Sequence, residues 1–140
     1  MSQPTSFRLP EALLDRLDDE AAARGTSVTA LVTAILDEGL KTARFPGIVY
    51  REGPAGRRAA LAGGPDVWEV ISELRNTPGK GEVRVGRMAD ELGLPLPTLR
   101  TALDFYAAFP EEIDQRIHAE ARMAERLRRL IDQRERLLGT

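Results

Sequence analysis

Side chains able to do covalent or metal chemistry are scarce in this chain. It has no cysteine and a single histidine among 140 residues, which removes thiolate nucleophiles, disulfides, cysteine-based zinc sites and any histidine metal cluster. His118 follows Asp114 by four residues on a charged stretch, a spacing that suits a surface hydrogen-bonded pair better than a catalytic one. No phosphate-binding glycine loop, nucleophile elbow or histidine-carboxylate arrangement occurs, so neither an enzyme nor a cofactor is expected. What remains is hydrogen bonding and charge. Ser6 and Arg8 alternate with Phe7 and Leu9, which puts the polar pair on one face of a strand and the apolar pair on the other. Arg122, Arg126, Arg128 and Arg129 crowd a stretch near the end of the chain, where they could bridge carboxylates of an acidic partner. Trp68 reads as a core anchor rather than a stacking platform.

The elements that must position Ser6 and Arg8 follow at once. Thr5-Ser6-Phe7-Arg8-Leu9 is a strand too short to satisfy its own backbone or bury its apolar face, so a second copy of the chain is expected to pair with it. A helix follows, with Pro10 in its first turn and Leu13, Leu14, Leu17 and Ala21 at helical spacing. Gly25 supplies the left-handed residue that ends it. A second helix repeats Val28, Leu31, Val32, Ile35 and Leu36, a stripe too wide for its length unless a partner chain covers part of it. Phe7, Leu9, Leu13, Leu17, Leu31 and Ile35 are the expected dimer core.

Between Pro4 and Thr42, this order of strand, helix, turn and helix resembles the ribbon-helix-helix DNA-binding family that includes the CopG, MetJ and Arc repressors. The resemblance implies an intertwined homodimer whose two strands form a ribbon that enters the major groove of double-stranded DNA. It places Pro4, Ser6 and Arg8 outward as the base readers. Arg8 could pair with guanine O6 and N7, worth about 1 to 3 kcal/mol of discrimination, Ser6 could meet either type of base, and Pro4 offers no side-chain donor. It also implies a phosphate contact at Ser27, Val28 and Thr29, where a helix N-terminus presents free N–H groups, with Ser27 as N-cap. Charge opposes this: residues 1 to 44 carry five basic and seven acidic side chains, with Asp15, Asp18, Asp19 and Glu20 clustered on the first helix. A single dimer should therefore bind modestly and salt-sensitively, and several dimers side by side would compensate.

Beyond residue 44 the reading is of an α+β, mainly α chain in three parts: residues 1–44, then 45–109, then 110–140. Ile48–Arg51 and Arg57–Leu61 make a hairpin about a glycine- and proline-bearing loop, and Asp66 caps a helix from Val67 to Arg75. Asn76 to Gly81 is a loop. Val85–Leu92, the turn Gly93–Pro97 and Thr98–Phe109 form a helix-turn-helix with Leu99, Ala102, Leu103 and Tyr106 inward. Acids dilute its arginines, so packing or partner binding is expected of it rather than base reading. The tail from Pro110 is one long helix supported by Glu112 with Arg116, Glu125 with Arg129 and Asp132 with Arg136. Its thin apolar stripe suits a groove or second helix, with Arg122, Met123, Arg126, Leu127, Leu130 and Ile131 as the partner-binding candidates.

The motifs Phe45-Pro46-Gly47-Ile48, Gly53-Pro54-Ala55-Gly56-Arg57-Arg58, Val67-Trp68-Glu69-Val70, Ala102-Leu103-Asp104-Phe105-Tyr106 and Pro110-Glu111-Glu112-Ile113-Asp114 resemble, in order, the domain-of-unknown-function family numbered 433. Its members look like small winged-helix-type modules, often encoded as antitoxins beside PIN-like ribonuclease toxins. The Thr77–Gly81 loop departs from that pattern. The expected function is thus a DNA-binding transcriptional repressor, the antitoxin of a type II toxin-antitoxin pair that represses its own operon. The alternatives are a stand-alone dimeric regulator and an architectural or interaction protein. With no apolar stretch of membrane-span length and no basic and apolar leader at the start, a cytoplasmic location is expected.

Overall fold

In the computed structural model, which describes residues 2–139, glycines and prolines delimit most of the helices. The first helix, α1 (Glu11–Arg24), begins after Pro10 and ends at Gly25, whose left-handed backbone (φ 66°) lets its own N–H and that of Thr26 reach back to Ala22 and Ala21. In α2 (Val28–Arg44) the Ser27 Oγ accepts the Ala30 N–H at 3.1 Å, which is the N-cap expected there. These elements make up one compact unit, Met1–Ala43.

The other unit, Arg44–Thr140, starts with the hairpin of β1 (Ile48–Arg51) and β2 (Arg58–Leu61), antiparallel, with Ile48 opposite Leu61 and Arg51 opposite Arg58. Four helices follow: α3 (Val67–Asn76), α4 (Gly81–Leu92), α5 (Leu96–Ala108) and α6 (Pro110–Leu138). The described residues are thus mainly helical with one small two-stranded sheet, an α+β arrangement. Helix α3 is central and packs on β2, α4, α5 and α6. Ile48, Leu61, Val67, Val70, Ile71, Met88, Leu99, Phe105 and Ile113 build the core, and Phe45, Phe105 and Phe109 meet largely edge-on beside it, with ring centroids 5.1 to 5.9 Å apart.

Several local expectations are corrected. Thr5–Leu9 forms no strand here, because a single chain offers no second strand to accept its hydrogen bonds. Helix α4 starts at Gly81 rather than Val85, and α5 starts at Leu96, since Pro97 is tolerated at its second position. Asp66 precedes α3 but makes no side-chain cap. Its buried carboxylate instead accepts hydrogen bonds from Arg58 Nε and, at 3.1 Å, Trp68 Nε1, with Arg51 3.7 Å away. Asp114 is held by Arg75 (2.8 Å) and the Tyr106 hydroxyl (3.0 Å), so the expected pairing with His118 gives way to a stronger one. Glu112 accepts from the Tyr50 hydroxyl at 2.8 Å, while Arg116 donates to the carbonyls of Ala55 and Arg57, both at 3.0 Å. The start of the long helix is therefore clasped to the hairpin, and α6 falls in the same compact unit as the hairpin and α3 to α5.

Candidate nucleic-acid interface

Pro4, Ser6 and Arg8 are all exposed, as the polar side of the N-terminal segment must be if it is to read anything. The apolar side has nowhere complete to go. Phe7 is 77 % exposed, and Phe7, Leu9, Leu13 and Leu17 line one wall of an open groove of about 630 Å³ whose other wall is Val32, Ile35 and Leu36. Within this unit only Ala21 and Leu31 are buried among the described residues. Five of the six residues expected in a dimer core thus line this groove, and the sixth, Leu31, lies in the small core beneath. Leu36 (54 %) and Leu40 (71 %) extend the uncovered stripe along α2. Within this unit, no described residue covers that surface.

At the start of α2, Ser27 takes the Ala30 N–H on its side chain and the Leu31 N–H on its carbonyl, 3.0 Å away. The N–H groups of Val28 and Thr29 belong to the helix end that lacks internal acceptors, and Thr29 is exposed. These backbone donors lie at the positive end of a 17-residue helix dipole. The acids of α1 are exposed, and Glu20 is engaged by Arg24 at 2.8 Å.

In the second unit, the arginines of the helix-turn-helix are committed internally. Arg84 donates to the carbonyls of Leu74 and Thr77 at the end of α3, Arg87 donates to the carbonyl of Pro78, and Arg100 pairs with Glu82. Those bonds tie α4 to the end of α3 and to the loop after it, and tie α5 to α4. From Ala121 to Leu138 every residue of α6 is exposed, including Arg122, Met123, Arg126, Leu127, Leu130 and Ile131. That stretch holds six arginines against three acids, so its apolar face is framed by positive charge.

Two features had no readable signal in the sequence. Asp66 as the hub of Arg58, Arg51 and Trp68 depends on the hairpin folding over α3. The Arg75, Tyr106 and Asp114 cluster joins three helices. Hydrogen bonds from Arg75 and then Tyr106 hold the Asp114 carboxyl below its ordinary value, and Arg75 is raised in turn. Among the described residues no group of three or more histidine or acidic side chains could hold a metal ion, and no helix is long and apolar enough to cross a membrane. Comparison with family models, curated proteins and solved structures finds no match to this chain.

Proposed function

We propose that the chain is a homodimeric, sequence-specific DNA-binding repressor in which the Thr5–Leu9 segments of two copies pair as a ribbon in the operator's major groove. The observation that carries this reading is the uncovered groove. Seven apolar side chains line it in a unit with almost no core of its own. Covering them, already partly buried, contributes about 5 to 10 kcal/mol per chain, comparable with the net stability of a whole small domain. A second copy supplies the same face and the missing strand together. Pairing through Phe7 and Leu9 leaves Ser6 and Arg8 outward, and the Val28 and Thr29 N–H groups supply a backbone-phosphate contact.

The reading extends to an antitoxin of a type II pair, with the exposed end of α6 laid over a PIN-like ribonuclease toxin. Its support is the unpacked helix from Ala121 to Leu138, amphipathic and rich in arginine, which suits the acidic centre of such a nuclease. A gel shift with DNA from upstream of the gene is the test of the first part. A shift at low salt that fades steeply as salt rises is expected, and a confirmed dimer that gives none overturns the reading. Arg8→Ala should remove the preference for the upstream site, about 1 to 3 kcal/mol, while the dimer persists. For the antitoxin role, co-expression with the neighbouring gene product decides: a chain ending at Glu120 should still bind DNA but no longer neutralise the toxin.

A further inference from the structure

The second unit contains a cleft that the DNA-binding reading does not use. It lies between the hairpin and the first half of α6, has a volume of about 500 Å³, and is lined by Arg57, Arg58, Arg116 and Arg122 together with His118 and Trp68. Four guanidiniums and an imidazole face one lining carboxylate, Glu112, in a chain whose net charge is −2. Asp66 neutralises Arg58, and Glu52 engages Arg57 at 3.0 Å. Arg116 and Arg122 are different.

Arg116 is only 13 % exposed and is fixed by two backbone carbonyls, which orient the guanidinium without cancelling its charge; its one acidic neighbour, Glu120, stands 3.7 Å away. Two of its five N–H donors are used by those carbonyls, leaving others for a ligand. Gly56, at the turn of the hairpin, has φ 100°, a backbone conformation that favours glycine where the loop passes Arg116. Arg122, six residues further along α6, also lines the cleft, is exposed and has no ion pair or hydrogen bond among the described residues. Trp68 is half-buried, and its indole N–H is tied to Asp66 at 3.1 Å, which holds the ring in place at the wall of the cleft.

A preset guanidinium, a second, unpaired one and a fixed flat ring in a cleft of ligand size are the parts of a small-molecule site. We propose that this cleft binds a small phosphorylated ligand bearing a flat ring, a free nucleotide by chemical class, with Arg116 and Arg122 on the phosphate and Trp68 against the ring. Phosphate matches the fork of a guanidinium, and a ring packed on indole adds apolar contact that a bare anion lacks. The cleft lies wholly within the second unit, so the assignment stands or falls independently of the operator reading.

Trp68 is the only tryptophan in the chain, which makes its fluorescence a direct report on the cleft. The full-length protein is titrated with adenosine 5′-monophosphate, with adenosine, and with inorganic phosphate as competitor. The expected result is a saturable change with the monophosphate, weakened about tenfold or more for adenosine, and reversed by an excess of inorganic phosphate. Arg122→Glu, at an exposed position that leaves the circular dichroism spectrum unchanged, should raise the dissociation constant by about ten- to a hundredfold. No saturable response, an equal response to adenosine, or an unchanged constant in Arg122→Glu would each overturn the assignment. Tighter binding of a 5′-phosphorylated single-stranded oligonucleotide, by more than about tenfold over the mononucleotide, would overturn the free ligand and give the cleft to a nucleic-acid strand.

Discussion

Asp66 gathers two hydrogen-bond donors and a third, nearby positive charge in a buried place, and the cost of disturbing it should be large. The carboxylate is 4 % exposed and holds Arg58 from β2 and Trp68 from α3, with Arg51 of β1 close by. Asp66→Ala leaves the Arg58 guanidinium without its counter-charge in a largely covered position, and a loss of about 3 kcal/mol is expected in the urea unfolding of the second unit. A loss below about 1 kcal/mol would make the cluster a solvated surface pair. Asp114 makes a milder, pH-dependent case. Its folded carboxyl is held below the ordinary value of 3.8, first by Arg75 and then by Tyr106. A depressed carboxyl contributes stability that is present above that ordinary value and is lost as pH falls through the lower folded value. Acid titration of the unfolding midpoint should show this loss in the native chain, and Asp114→Asn should flatten that part of the profile. Both positions also show where sequence reading ends. Asp66 stands where a helix cap should, and Asp114 stands four residues from His118, so local rules assign each a neighbour in sequence. Tertiary partners with better charge geometry take both.

At the level of elements, legibility followed chain-local chemistry. Ile48–Arg51 and its partner strand were readable because alternation and a glycine-proline loop coincide there. Helix α6 was readable from Pro110 onward, while the start of α4 at Gly81 was hidden in a run that reads as loop, with Lys80 making no side-chain cap. The clasp of α6 on the hairpin was invisible, since Arg116 meets residues some sixty positions earlier. Two halves of α6 should therefore behave differently. Ile113 is 2 % exposed in the core, and Ile113→Ala should cost about 2 to 5 kcal/mol in thermal or urea unfolding. A chain ending at Glu120 removes only exposed residues of the helix, and its second unit should keep its stability within about 0.5 kcal/mol. A large loss on truncation would mean that the end of α6 is already packed on something in solution.

For the whole molecule, the two units differ in how much of their apolar surface they cover alone. The second has a continuous core and should melt at a temperature independent of protein concentration. The first buries Ala21 and Leu31 and leaves its groove open, so in the proposed dimer its unfolding should shift upward as concentration rises. Differential scanning calorimetry over a hundredfold range of concentration checks this; a concentration-independent first transition would mean that the unit is complete as a monomer. The uncovered apolar surface was legible in the width of the stripe on α2, and in the proposed dimer a second chain covers it. The absence of a strand at Thr5–Leu9 in the single chain was not legible, because alternation marks the two faces of a segment and not whether a neighbouring strand is there to pair with it.

The bonds that close the hairpin onto α6 also set an order in time. Tyr50 to Glu112 spans 62 residues, and Arg116 to Ala55 spans 61. A chain leaving the ribosome exposes the hairpin long before those partners are made. Helices α3, α4 and α5 can form and pack locally in that interval, but the sheet keeps one side open until residues near Arg116 emerge. Helical content alone would place this unit among fast folders; the long closing loop instead makes docking of α6 the late step, so that clasp substitutions such as Tyr50→Phe should mainly hasten unfolding and leave the folding rate little changed.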